Sequence, residues 1–167
     1  HGGFGDHIVV NKFIYGPQTL DWIGVPWTNL GVELPTVRFS RLALRSPRRG
    51  DIIVFRFPED PTKDYIKRVI ATGGETVEIK KWSIFIDGKK IKDVWGHFRP
   101  DSVSRGFLPF IDKDNVPPIK VPEDCYFVMG DNRSNSADSR FIGPIDEDSV
   151  VGRAFAIIWP LSRFSGL

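Results

Sequence analysis

Sulfur and imidazole are scarce in this chain of 167 residues, which holds one cysteine, one methionine and three histidines. A single cysteine, Cys125, excludes an internal disulfide and any cysteine-built metal cluster. The histidines His1, His7 and His97 have no ligand spacing, so neither a zinc site nor any other cofactor is expected. Nowhere do apolar residues run for the roughly 18–20 positions that a membrane-crossing helix needs, and nothing within these residues reads as a signal peptide. Net charge is nearly absent too: 23 Lys and Arg stand against 21 Asp and Glu, a balance of +2. That leaves no electrostatic case for a nucleic-acid partner, and pairs such as Arg48-Arg49 and Lys89-Lys90 read as solvated faces. The opening His1-Gly2-Gly3-Phe4 has no initiator methionine and reads as a cut boundary.

What the chain has in quantity is punctuation. Thirteen Pro and 16 Gly argue against long helices, while 41% apolar residues suffice for a core. His7 to Phe13 reads as a strand. Residues 17–48, broken by Pro17, Pro26, Pro35 and Pro47, read as an irregular surface loop or flap. Asp51 to Phe57 is a strong strand, Pro58 to Lys63 a turn, and Tyr65 to Ala71 the next strand, ended by Gly73-Gly74. Thr76 to Ile79 alternates. Ser83 to Ile86, then Asp87-Gly88, then Lys89 to Ile91 is a hairpin signature, because Asp-Gly supplies the positive φ angles of a two-residue turn. Val94 to Pro118 loosens again, so residues 81–120 read as a smaller inserted subdomain. Tyr126 to Met129 returns to strand, and Val150 to Trp159 closes the chain with Gly152 as a candidate bulge. The fold class is all-β with long loops.

Two stretches could carry chemistry. Gly130 to Arg140 packs two Asp, two Arg, three Ser and two Asn directly behind an apolar strand. Such groups are costly to bury unless each finds a partner, so the run is either an exposed turn or a hydrogen-bonded network bracing a site. The spacing of Ser136, Asp138 and Arg140 suits the network. Lys67 is the second candidate. In strict alternation Tyr65, Lys67 and Val69 share one face of a strand and Ile66, Arg68 and Ile70 the other. A lysine facing a core must lose its proton or find a partner, and a neutral amine is a general base. The alternative is that Lys67 snorkels to water.

Together these stretches resemble the bacterial type I signal peptidases, a serine–lysine protease family. Asp64-Tyr65-Ile66-Lys67-Arg68-Val69 resembles the family's lysine box, and Gly130 to Arg140 its glycine-aspartate-asparagine box nearly letter for letter. Arg49 to Phe55, Gly5 to Lys12 and Val151 to Ala154 also match, in the right order. The resemblance implies twisted antiparallel sheets, with a catalytic core over 1–80 and 121–160, the insertion over 81–120 and a tail at 161–167. It implies that Lys67 is the general base, that Ser136 orients its amine, and that Asp138 and Arg140 form a bracing ion pair joined by Asp131. Tyr65 and Ile66, with Val54 and Ile8, would line shallow pockets for small side chains before the cleavage point. The implied partners are signal peptides of exported preproteins, bound as an added strand. The implied place is the extracytoplasmic side of the bacterial inner membrane. A serine hydroxyl needs a base, and serine–lysine pairing is a recognised variant of triad logic.

The sequence departs from the family at the nucleophile. The Ser-Met-x-Pro-Thr box expected shortly before Gly5 has no counterpart here, and Glu33-Leu34-Pro35-Thr36 lacks the serine. The expectation is that the 167 residues begin just past that serine, with the membrane anchor also outside them, and that the polypeptide alone does not cleave. One alternative is a peptide-gripping pseudoenzyme of the same fold. Another is a self-cleaving serine–lysine protease of the SOS-repressor kind, disfavoured by the insertion and the lack of basic recognition helices. Trp22, Val25, Trp27 and Leu30 form an apolar patch expected to touch the membrane interface.

Overall fold

In the computed structural model, the described residues are 7–11, 22–24, 31–33, 45–97, 114–159 and 165–166. Their regular structure is almost entirely antiparallel strand, as expected of an all-β chain. The chain divides into two compact units, one of residues 1–46 and 151–167, the other of residues 47–150.

The unit spanning 47–150 holds two sheets. In the first, β4 (Ile52–Phe57) and β5 (Asp60–Thr72) form a hairpin, and β10 (Cys125–Met129) and β11 (Ile145–Asp146) continue the order β4-β5-β10-β11. The hairpin register sets Ile53 opposite Lys67 and Val54 opposite Ile66. The turn expected over Pro58 to Lys63 is shorter: only Pro58 and Glu59 turn, and β5 starts at Asp60. There the Asp60 carboxylate accepts from both the amide and the hydroxyl of Thr62 and pairs with Lys63, so polar residues make a strand start that looks like a loop. Farther along, Val69 faces Val128 and Ala71 faces Phe127, which leaves Ile70 as an unpaired bulge residue. A bulge switches which face the following side chains occupy. Ile70 and Ala71 accordingly both reach the main core.

The second sheet has the order β8-β7-β6-β9, built from β6 (Thr76–Lys80), β7 (Ser83–Ile86), β8 (Lys89–Lys90) and β9 (Val116–Lys120). Asp87 and Gly88 sit at φ 50° and 74°, the paired positive angles that the Asp-Gly signal predicts. Strand β9 corrects the loose reading of residues 94–118. It survives Pro117 and Pro118 because it is an edge strand with an irregular register against β6, where a missing amide goes unneeded. Ile70, Ala71, Phe127 and Met129 pack with Val77, Ile79, Ile84, Ile86 and Val116 into one core. Each of the Ile, Val, Phe and Met side chains among these contributes about 1.5–3 kcal/mol when fully buried. All five residues of β10 are buried, Cys125, Phe127 and Met129 on the side of that core. A strand covered on both faces reads as an unbroken apolar run.

The other unit holds β1 (His7–Asn11), β2 (Trp22–Gly24), β3 (Gly31–Glu33), β13 (Ser165–Gly166) and, from its second residue on, β12 (Val150–Trp159). β12 pairs with β1 and with β13. The β1 pairing ends at Arg153, short of Gly152, and its register shifts fall at Phe155 and Ile158. β2 pairs with β3, a correction to the reading of residues 17–48 as wholly irregular. Three-residue strands are too short to show a period, and Pro26 and Pro35 lie just outside them. The side chains of Ile8 and Trp22 lie outside the described residues, as do Val25, Trp27 and Leu30 entirely. Among the described residues no helix is long and apolar enough to cross a membrane.

Candidate active site

Lys67 projects from the middle of β5, and the polar run after β10 comes back to meet it. The Lys67 Nζ donates to Ser136 Oγ at 2.9 Å. Gly130 makes that approach possible. A Cβ there would lie 2.3 Å from Ser136 Oγ and 3.6 Å from Lys67 Nζ, so any side chain would displace the hydroxyl.

Beneath the pair sits an ion pair withdrawn from water. Asp138 and Arg140 are buried and share two hydrogen bonds, Arg140 Nε to Oδ1 at 2.8 Å and Nη2 to Oδ2 at 2.9 Å. Asp138 also accepts from the Gly130 amide at 3.0 Å and caps α1 (Ser139–Ile142) by accepting from the Arg140 amide. Arg140 Nη2 further donates to the Arg133 carbonyl at 2.8 Å. Ser139 accepts from the Val128 amide at 2.9 Å through its hydroxyl, fastening the start of α1 to β10. One carboxylate thus holds a strand end, a helix start and a guanidinium.

Electrostatically, burial is the leading influence on Lys67 and pushes its amine below the ordinary lysine value. Asp138, the stronger influence of the ion pair, opposes that, and Arg140 assists it, so Arg140 offsets part of the Asp138 effect at the amine. The Tyr65 ring centroid lies 5.6 Å from Nζ and favours the ammonium by about 0.5–1 kcal/mol, the size of an exposed cation–π contact. The amine donates one N–H to Ser136, and in its neutral form keeps a lone pair free to take a proton.

The next residue, Arg68, points to the opposite face of β5 and grips the same run. Its Nε and Nη2 donate to the two Asp131 carboxylate oxygens at 2.9 and 2.7 Å, and Nη1 to the Gly50 carbonyl at 2.8 Å. Trp95 stacks over its guanidinium at 5.1 Å. The structure therefore brings Lys67, Ser136, Asp138 and Arg140 together, with Tyr65 on the Lys67 face and Asp131 tied to Arg68. Val54 and Ile66 stand directly opposite each other on the other face of the hairpin from Lys67. Ile66 is exposed there.

Several residues of this network carried no role in the sequence reading. Arg68, Arg133 and Ser139 sit inside the two quoted boxes, so their place was legible and their partners were not. Trp95 lies in the stretch that read as loose, and Asp93 just before it. Cys125 donates its thiol to Asp146 at 3.2 Å, and burial pushes it up to about 11, which keeps it protonated. Among the described residues no group of His, Cys, Asp and Glu could hold a metal ion.

Comparison with known proteins places the chain in a family. A signal peptidase I of Pseudomonas fluorescens is 31% identical over 192 aligned residues, covering 98% of this chain and 62% of the relative. The chain thus spans 62% of the length of that protein. A signal peptidase IB of Staphylococcus aureus is 32% identical over 163 residues, covering 93% of this chain and 84% of the relative. Among solved structures, a signal peptidase I of Enterococcus faecalis V583 is 31% identical, with a TM-score of 0.49 over 65% of this chain and 97% of that one. The model of the family described as signal peptidase, peptidase S26, matches residues 4–159, and the chain belongs to that family.

Proposed function

We propose that this chain is the extracytoplasmic catalytic portion of a signal peptidase I that cleaves signal peptides from exported preproteins with a serine nucleophile and Lys67 as general base. The observation that carries this is the 2.9 Å contact of Lys67 Nζ with Ser136 Oγ, in a place where burial pulls the amine down. The relatives named signal peptidase I support the substrate class. As the nucleophile's oxygen attacks the scissile carbonyl carbon, its proton passes to the Lys67 lone pair. The resulting ammonium returns that proton to the departing amine, leaving an acyl-enzyme ester. Lys67 then deprotonates a water that attacks the ester, and the proton goes back to the serine oxygen. Ser136 aims the amine throughout, and the Asp138–Arg140 pair fixes the floor without adding net charge. Tyr65, Ile66, Val54 and Ile8 would shape the pockets for small substrate side chains. The substrate would lie as an added strand, with the enzyme held at the outer face of the inner membrane, where Trp22 and Trp27 would touch the interface.

The serine box has no counterpart in the 167 residues, so this polypeptide is proposed to hold the base half of the dyad and not to cleave alone. The test supplies the missing half. A chain carrying a Ser-Met-x-Pro-Thr segment ahead of Gly5 should cleave a preprotein before its mature sequence, and Lys67→Met should abolish that cleavage. Cleavage surviving Lys67→Met would overturn the base assignment. Tight peptide binding without cleavage would favour the pseudoenzyme instead.

A further inference from the structure

We propose that Asp93 is a positioning residue for the Lys67–Ser136 pair, acting through Arg133. The inference rests on the reading of Lys67 as a base, and extends it to a residue outside both motif boxes.

Arg133 is the largest fully buried side chain described, with 0% of its surface exposed. A guanidinium cannot shed its charge at neutral pH, so burial demands a counter-charge. Asp93 provides it: Arg133 Nη2 donates to Asp93 Oδ1 at 2.9 Å, while Nη1 reaches the Met129 sulfur at 3.0 Å. The same Asp93 oxygen accepts from the amides of Trp95 and Gly96 at 3.3 and 3.1 Å, so the carboxylate is itself held in a turn. Gly96 is needed there, because a Cβ would sit 2.4 Å from Asp93 Oδ2 and 2.8 Å from Arg133 Nε. One residue on, the His97 amide donates to the Asp131 carbonyl at 2.8 Å, and the Arg133 amide donates to the His97 carbonyl at 3.1 Å. Asp93 to His97 thus forms a strap laid against the loop that carries Ser136.

The chain of contacts continues into the site. The Arg133 carbonyl accepts from Arg140, Arg140 holds Asp138, and Asp138 holds the Gly130 amide beside Ser136. Without the Asp93 charge, the Arg133 guanidinium is stranded in the interior. It escapes by swinging toward water, and its carbonyl and the loop from 130 to 136 move with it. Lys67 then loses its hydroxyl partner and gains water. The charged groups around this chain are Asp93, Asp131, Asp138 and Arg140 facing Arg133, and Asp138 and Arg140 facing Lys67.

The sign of the response separates positioning from simple electrostatics. Deleting a negative charge at a distance makes an ammonium less favourable and lowers the Lys67 pKa. Loosening the loop hydrates the amine and raises it. The experiment is an NMR titration of the Lys67 amine in the chain labelled at lysine Cε and Nζ, with the resonance assigned by its loss in Lys67→Met. In Asp93→Asn, which keeps an acceptor for the Trp95 and Gly96 amides, the Lys67 pKa should rise by about one pH unit or more, toward the ordinary ~10.4. In Asp93→Glu, which restores the charge, it should return most of the way. An unchanged or lowered Lys67 pKa in Asp93→Asn overturns the proposal. Should that variant not fold, Asp93→Ser leaves room for water at the guanidinium and is read by the same criterion. A Lys67 that titrates at the ordinary value in the unaltered chain defeats the base reading itself, whatever Asp93 does.

Discussion

A lysine that gives up solvent for a site costs stability, and the cost depends on pH in a definite direction. The folded Lys67 binds its proton more weakly than the unfolded one, so between the two pKa values the unfolded chain holds more protons and stability rises with pH. Lys67→Met should therefore stabilise the fold at pH 7, and the gain should shrink as pH climbs toward ~10.4, where even the unfolded lysine is neutral. Urea melts of both chains across pH 6–10 check this; a gain independent of pH would mean that Lys67 is not desolvated. Gly130 makes the opposite case, a residue whose value is what it lacks. Gly130→Ala should cost about 1–3 kcal/mol, typical of overpacking, and should push the Lys67 amine toward its ordinary pKa by evicting Ser136. Denaturant melts and the lysine titration read the two effects separately. At this scale the motif letters made Lys67, Ser136, Asp138 and Arg140 legible. Asp93 was not, because its partner lies 40 positions away and nothing in a carboxylate's own neighbourhood announces a distant guanidinium.

Elements with an internal rhythm were readable; those held by partners elsewhere were not. Strands β4, β5 and β10 show apolar runs or alternation, and the Asp87-Gly88 turn announces its hairpin. Strand β9 hides behind two prolines that only an edge position tolerates, and β2 and β3 are too brief to show a period. Helix α1 spans four residues, too few for a helical repeat, and forms because Asp138 caps it and Gly143, at φ 79°, ends it. Arg140 ties this short helix to the strand end through Asp138. Arg140→Met should leave a buried carboxylate unpaired and cost about 3–5 kcal/mol, the usual loss when half of such a pair is removed. The stranded Asp138 charge should also raise the Lys67 pKa, since Arg140 no longer offsets it. Thermal melts and the titration test both; a melt unchanged from the parent chain would mean that the pair carries no stability. In the second sheet, Gly88→Ala meets no atom within 4 Å and should cost only the left-handed backbone penalty, about 1–2 kcal/mol.

Across the whole molecule, Cys125 offers a reporter of global opening. It is buried in the main core, donates to Asp146, and holds its proton about two pH units above an ordinary thiol, so about 100-fold fewer thiolates are present at neutral pH. Alkylation of the native chain at pH 8 should run at least about 100-fold slower than in urea. Rapid labelling without unfolding would show that the core opens locally around β10. The all-β class and the family were legible because boxes spread over most of the chain keep their order, and order survives where individual contacts are invisible. Alternation along β5 already set Lys67 and Arg68 on opposite faces; what the letters could not convey is the partner each one meets. Lys67 and Arg68 are neighbours whose side chains leave β5 in opposite directions, and one polar loop is anchored to both. A slip of that strand by a single position would swap an amine that can surrender its proton for a guanidinium that never does. Alignment of two β-strands to within one residue is thus a chemical requirement here, and the Asp131 anchor acts as a lock that lets only one of the two possible settings close.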